Sequence, residues 1–349
     1  MSTTATIKTK KEMNLWPLAL FIGGGIIIAL GATGSINKYI QTVIMFIGIN
    51  VILSASLNVV NGYMGEFSCG HGGFMLVGAY VSSILSVLLF TNSKWLGHPI
   101  LPPSTAVFLF PVIIIIGGLV AAVAGLLVAI PSFKTRDDYL AIITIAANFI
   151  FVSLVNNLEF VGGSRGFMGM KGTVFAMEDV FKAPYMLFWT LTFCSLAVFL
   201  IKRLMRSTFG KGISAIRYDE ISAEIMSVNT NHMKLVAFMF SSGLAGIAGG
   251  LFAHVMGFIN PASFSIMKST EALVMVYLGG MGSLSGSVLS AIIFTILLEA
   301  MRPLQILKWV LIPLMLILLM QFRPEGLMGN KELTDKFPRL KRFFTRSSM

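Results

Sequence analysis

Charge is what this chain most lacks. Asp, Glu, Lys and Arg make up 12% of its 349 residues, against about 25% in an average soluble domain. A surface that faces water on all sides is thereby excluded. Cysteine is nearly absent: Cys69 and Cys194 each sit in or beside an apolar stretch, which supports neither a disulfide framework nor a C-x-x-C site. The four histidines, His71, His98, His232 and His254, are scattered, and each alone reads as structural. There is no G-x-x-x-x-G-K-[ST] loop to cradle a nucleotide. No nucleophile beside a base and no carboxylate pair with a placed histidine stands out, so an enzyme is disfavoured, no cofactor is expected in this chain, and no metal site is drawn.

What is present is apolar sequence. The chain is 56% hydrophobic with a mean hydropathy of +0.84, which defines an all-α polytopic membrane protein. A crossing helix needs about 20 apolar residues. Candidate spans are 15–34, 40–60, 74–90, 106–130, 139–156, 184–201, 235–256, 271–300 and 306–322. The first follows Lys8, Lys10 and Lys11 and resembles a signal peptide, but its length and the spans behind it favour an uncleaved helix. Residues 1–14 then form an N-terminal tail, 15–322 the membrane domain and 323–349 a basic C-terminal tail.

Lys and Arg exceed Asp and Glu by 26 to 15. Such an excess can serve nucleic acid, but here the positives lie between apolar runs and at the ends, as the positive-inside rule places them. Lys134 and Arg136, the 202–234 segment with six Lys or Arg, and the tail with seven are assigned to the cytoplasm, as is the N-terminus. The charge-balanced loop at 159–183 is assigned outside. Both termini inside require an even number of crossings. Splitting 271–300 at Gly279-Gly280-Met281-Gly282-Ser283-Leu284-Ser285-Gly286 gives ten, with a broken or short helix near Gly282.

The most unusual stretch is 62–78, with six glycines, Glu66, Ser68 and His71 between apolar segments. Glycine weakens a helix and permits close backbone approach. Glu66 and His71 are costly in hydrocarbon without a partner or a wet cavity. An interrupted or re-entrant element lining a path fits these residues; a cytoplasmic loop of tight turns is the alternative. Gly62, Gly65, Glu66, Ser68, Gly70 and His71 are the path candidates. Gly62-Tyr-Met-Gly65-Glu-Phe-Ser68 is echoed by Gly279-Gly-Met-Gly282-Ser-Leu-Ser285, adding Gly279, Gly282 and Ser285. Repeated halves with broken helices are a transporter device, although seven residues in a glycine-rich chain also match by chance. Two small-residue ridges, Gly117/Ala121/Gly125 and Ser242/Gly246/Gly250, are spaced by four for close helix packing.

In the 202–234 segment, Asp219 and Glu220 open a run in which Ile221, Ile225 and Val228 keep helical spacing, with the acids where the helix dipole favours them. A short amphipathic helix here suits docking into a groove of another protein; a solvated helix on the membrane surface is the alternative.

Four ordered stretches resemble the permeases of branched-chain amino acid ABC importers of the LivM type: 62–80, ending Gly78-Ala79-Tyr80; Tyr139-Leu-Ala-Ile-Ile-Thr144; 217–254, with Lys234-Leu-Val-Ala-Phe and Leu244-Ala-Gly-Ile-Ala-Gly; and Pro261-Ala-Ser-Phe264 through Leu278-Gly-Gly-Met-Gly-Ser283 to Arg323-Pro-Glu-Gly-Leu327. The resemblance implies a multi-pass subunit of a bacterial inner membrane, surrounded by lipid and paired with a homologous, LivH-like permease. Two cytoplasmic ATPases (LivG/LivF-like) would hold the ATP and Mg, and a periplasmic binding protein would deliver leucine, isoleucine or valine. By likeness to the coupling loop of that family, Arg217, Asp219, Glu220, Ala223 and Met226 belong to the ATPase coupling region. Ser227 departs from the pattern, where such permeases place glycine, leaving the turn after the coupling helix open. Related permeases carry urea, amides or other small polar solutes, and a self-sufficient secondary transporter using Glu66 or His71 is the competing class.

Overall fold

The computed structural model describes residues 13–14, 23–25, 27–31, 36–91, 97–102, 105–134, 139–181, 184–322, 325–329 and 345–346. The span at 15–34 and the tail at 323–349 therefore lie largely outside the described residues. The rest is helical, as the apolar runs require: in hydrocarbon, backbone groups must be satisfied within the segment. The helices are α1 (Lys38–Asn58), α2 (His71–Phe90), α3 (Ala106–Ser132), α4 (Tyr139–Asn156), α5 (Met170–Phe181), α6 (Tyr185–Arg206), α7 (Thr208–Tyr218), α8 (Glu220–Ile225), α9 (Thr230–Met256), α10 (Ile266–Gly279), α11 (Leu284–Ala300) and α12 (Lys308–Phe322). Among the described residues, six helices are long and apolar enough to cross a membrane: α1 with its extension, α2, α3, α4, α6 and α9. The 271–300 run is broken where its glycines predict, between α10 and α11.

The small-residue ridges are the centre of the bundle. A methyl group on Gly125 would overlap Ser242 Oγ of α9, and one on Gly246 would overlap Ala121 of α3. Gly78 of α2 meets the Gly246 backbone, and Gly249 meets Met75 O. α2, α3 and α9 thus touch nearly backbone to backbone, the packing that small residues permit when lipid supplies no hydrophobic drive between helices. α1 packs against α9, α6 and α11. By contrast, α4 turns Tyr139, Ile142, Phe149, Ile150 and Leu154 outward, as a helix at the lipid-facing edge does.

α9 has 27 residues, about 40 Å of helix, and separates two surfaces. At its start lies the basic segment with α7 and α8. At its end, Phe258–Ile259 pairs antiparallel with Phe167–Met168, joining the post-α9 turn to the charge-balanced loop. The two loops assigned to opposite sides of the membrane are indeed at opposite ends of this helix.

One expectation is corrected. The helix begun at Glu220 does not run through Val228 but stops at Ile225. Its terminating residue is Ser227, in the left-handed region at φ 63°.

Candidate functional site

The site begins where α1 loses its regular ladder. The helix widens into a π turn over Val59–Met64 and ends at Gly65, φ 82°, a conformation in which a side chain is strained. Residues 65–70 are irregular, and α2 starts again at His71. Irregular backbone that is buried must have its polar groups met, and here side chains meet them. Asn61 Oδ1 accepts from Ser68 N (3.2 Å) and Asn61 Nδ2 donates to Ser68 O (3.3 Å). Thr144 Oγ1 of α4 accepts from Cys69 N (3.2 Å), and Ser269 Oγ of α10 accepts from Gly72 N (2.8 Å). The glycines thus end one candidate crossing helix and open the next. Gly70 and Gly72 are required sterically: Cβ atoms there would come within 2.7 Å of Thr144 O and 2.9 Å of Ser269 Oγ.

His71 is buried, with Nε2 2.9 Å from Ser241 Oγ. Ser241 spends its one hydroxyl proton on Ser56 O at 2.5 Å. Nε2 must therefore carry the proton and donate to Ser241 Oγ, which leaves Nδ1 a lone-pair acceptor. Among the described residues Nδ1 has no hydrogen-bond partner, nor do Asn148 Oδ1 of α4 or Ser68 Oγ, all buried. Asn148 Nδ2 lies 3.0 Å from the position a Gly72 Cβ would occupy. Neutral polar groups with open valences thus collect around the restart of α2.

The second break lies against the first. α10 ends at Gly279, and Gly280 and Gly282 take φ 106° and 80°. Ser283 Oγ caps α11 by accepting from Gly286 N (3.1 Å), beside Ser285 Oγ at 3.3 Å. Gly279 packs on the Gly286 backbone. Asn58, at the end of α1, holds the turn with three hydrogen bonds: Oδ1 accepts from Gly282 N (2.9 Å), and Nδ2 donates to Ser283 O (3.0 Å) and Ser287 Oγ (2.8 Å). A methyl on Gly62 would overlap Gly282 N, so the two echoed glycine segments touch. The carbonyls left over at the end of α10 are met by Leu327 N and Met328 N (2.8 and 3.1 Å), the last residue of the Arg-Pro-Glu-Gly-Leu stretch and the one after it.

The basic segment completes the site. α7 is N-capped by Ser207 and α8 by Asp219, whose Oδ1 accepts from Ile221 N (3.0 Å) and Ser222 N (3.1 Å). The Ser222 hydroxyl and amide hold the Asp219 carboxyl below the usual carboxylate range. α8 closes in a Schellman turn: Val228 N donates to Ala223 O and Ser227 N to Glu224 O. That turn demands a left-handed residue, which explains why glycine suits position 227. α8 presents Ile221, Ile225 and Met226 outward beside Tyr218, all more than two-thirds exposed, while Ala223 faces inward and is buried.

This segment grips the first break at two points. A Cβ on Gly65 would lie 2.9 Å from Arg217 Cγ. Lys234 Nζ of α9 pairs with Glu66 Oε1 at 2.6 Å and Glu220 Oε2 at 2.7 Å. Glu66 thus has the partner its cost in hydrocarbon demands. Lys234 is the residue that sequence reasoning missed; at the head of an apolar helix it reads as one more loop charge.

A bundle of apolar helices interrupted by packed glycine turns is the architecture of a membrane permease. The chain belongs to the family described as branched-chain amino acid transport system / permease component, which matches residues 39–320. It is 31% identical over 333 residues to the high-affinity branched-chain amino acid transport system permease protein LivM of Escherichia coli, covering 88% of this chain and 74% of that protein. A probable LivM permease of Methanocaldococcus jannaschii is 24% identical over 327 residues, 84% of this chain and 94% of the relative. LivH of Escherichia coli is 24% identical over 299 residues, 81% and 92%. No solved structure matches.

Proposed function

We propose that this chain is a permease subunit of an ATP-driven importer that carries branched-chain amino acids across a bacterial inner membrane. The observation that carries the reading is the tie between an exposed apolar docking helix and a broken membrane helix. A self-contained channel has no use for Ile221, Ile225 and Met226 in water, whereas a groove on a cytoplasmic ATPase does. ATP and Mg would act on two such ATPase subunits. The similarity of this one chain to both LivM and LivH supports a pair of homologous permeases with the path between or beside them, fed by a periplasmic binding protein. The basic loops at the α8 end support a cytoplasmic assignment of that end. With the 15–34 span counted, α1–α4, α6 and α9–α12 bring the crossings to ten, both termini inside.

Solute would pass the two glycine breaks, where Gly62, Gly65, Ser68, Gly70, His71, Gly279, Gly282 and Ser285 sit and where backbone, not bulky side chain, borders the path. The open acceptors His71 Nδ1 and Asn148 Oδ1 suit an ammonium. The test is uptake by the purified assembly in liposomes, with labelled leucine and labelled urea in competition. Saturable leucine uptake that requires ATP and the binding protein supports the proposal. Uptake of urea alone keeps the architecture and changes the substrate. Uptake by this chain with no ATPase present refutes it.

A further inference from the structure

We infer that Lys234 is the positioning residue that carries movement of the docking helix to the first glycine break. This rests on the reading that α8 docks an ATPase. Its ammonium is shared between two carboxylates on different elements: Glu220, the first residue of α8, and Glu66, the first residue after the Gly65 turn. The Lys234 side chain is 9% exposed, and its third side is closed by the Phe133 ring at 5.8 Å. A compact ammonium on a flexible stem can hold two carboxylates at one point, and without it the two like charges would face each other with no cation between them. Glu66 and Glu220 are therefore bound to move together.

The mechanics around this joint are unequal. α9 is locked to α2 and α3 by glycine contacts, so it yields little. Residues 65–70 have no helical ladder of their own and yield easily. A displacement of α8 is thus delivered through Glu220, Nζ and Glu66 into the irregular segment. From there the hydrogen bonds of Ser68 to Asn61 and of Cys69 to Thr144 pass it to the restart of α2. Arg217 against Gly65 is a second, steric contact on the same turn.

The experiment uses the complete assembly, with both permeases, ATPases and binding protein, in liposomes, and measures leucine imported and ATP hydrolysed in the same vesicles. ATP-dependent uptake by the wild type establishes the parent reading; its absence sinks that reading and leaves the joint out of account. Given a coupled wild type, Lys234→Met should keep its ATPases and their hydrolysis while uptake per ATP falls about tenfold, within the range of a typical coupling free energy. Lys234→Arg should recover part of the ratio. An unchanged ratio in Lys234→Met overturns the inference, as does loss of the ATPases from the complex. Glu66→Gln and Glu220→Gln give an independent reading should Lys234→Met fold poorly. Cut at either end, the joint is cut once, so the double variant should be no worse than the poorer single. Losses that multiply would overturn the proposal.

Discussion

Asn58→Ala offers the most direct check on the clamp between the two glycine breaks. The side chain is fully buried and makes three hydrogen bonds, to Gly282 N, Ser283 O and Ser287 Oγ. Buried hydrogen bonds contribute about 1 kcal/mol each on balance, and side-chain bonds between membrane helices average about 0.6 kcal/mol. Three of them give about 2–3 kcal/mol. Truncation also strands Gly282 N, a half-buried backbone donor, so the upper end applies. Asn50 is the internal control: on the same helix it makes one such bond, Nδ2 to Thr295 Oγ1 at 2.9 Å, and Asn50→Ala should cost about 1 kcal/mol. At about 2 °C per kcal/mol for a chain of this size, melting in detergent, followed by size-exclusion of a fluorescent fusion, should fall about 5 °C for Asn58→Ala and about 2 °C for Asn50→Ala. Transport should fall with the first and not the second. Equal shifts for the two variants would show that the clamp is no more than an ordinary interhelical contact.

Three further outcomes are expected. Ser227→Gly should raise the melting temperature by 1–2 °C: removing a left-handed strain of about 1–2 kcal/mol outweighs the added freedom of glycine in the unfolded chain, and a lower temperature would refute the Schellman account. Gly65→Val should abolish uptake at normal expression, because its Cβ meets Arg217 Cγ at 2.9 Å and a left-handed φ strains valine; wild-type uptake would reduce 65–70 to a loop. The depressed Asp219 carboxyl means that its capping of α8 is complete above the ordinary carboxylate pKa and is lost as pH falls through its lower folded value. Hydrogen exchange of the α8 amides, taken relative to the intrinsic amide rate at each pH, should therefore stay flat from neutral pH into the ordinary carboxylate range and rise only below it. Asp219→Asn, which still caps, should remove that rise; a rise at higher pH would contradict the Ser222 bonds.

Much of this was legible because membrane sequence is written in few symbols. The apolar runs mark the helices, and glycines at 280 and 282 mark the break because no side-chain residue takes those dihedrals at low cost. The small-residue ridges at intervals of four marked faces for close packing, but not that they would meet each other. What stayed hidden is long-range pairing. Asn58 meets Ser283 across 225 residues, and Lys234 meets Glu66 from a helix about half the chain away; periodicity reports which face a residue shares, not which neighbour the fold brings to it. The end of α8 was misjudged because Val228 keeps the apolar spacing while Ser227 breaks the backbone. Ala223 could be read for its place on the helix but not for its inward direction.

The contact of α2, α3 and α9 through Gly78, Gly117, Gly125, Gly246 and Gly249 has a consequence for assembly. Glycine and alanine give up no side-chain rotamers when they are buried, and serine few, whereas a long side chain at such a crossing forfeits about 1–2 kcal/mol of rotamer freedom. The helices with the closest approach are therefore those with the least disorder to lose. Once inserted, they can meet without first finding one arrangement among many, and the slower repacking of bulky residues falls to the periphery, where α4 and its outward-turned Phe149, Ile150 and Leu154 await lipid or a neighbouring subunit.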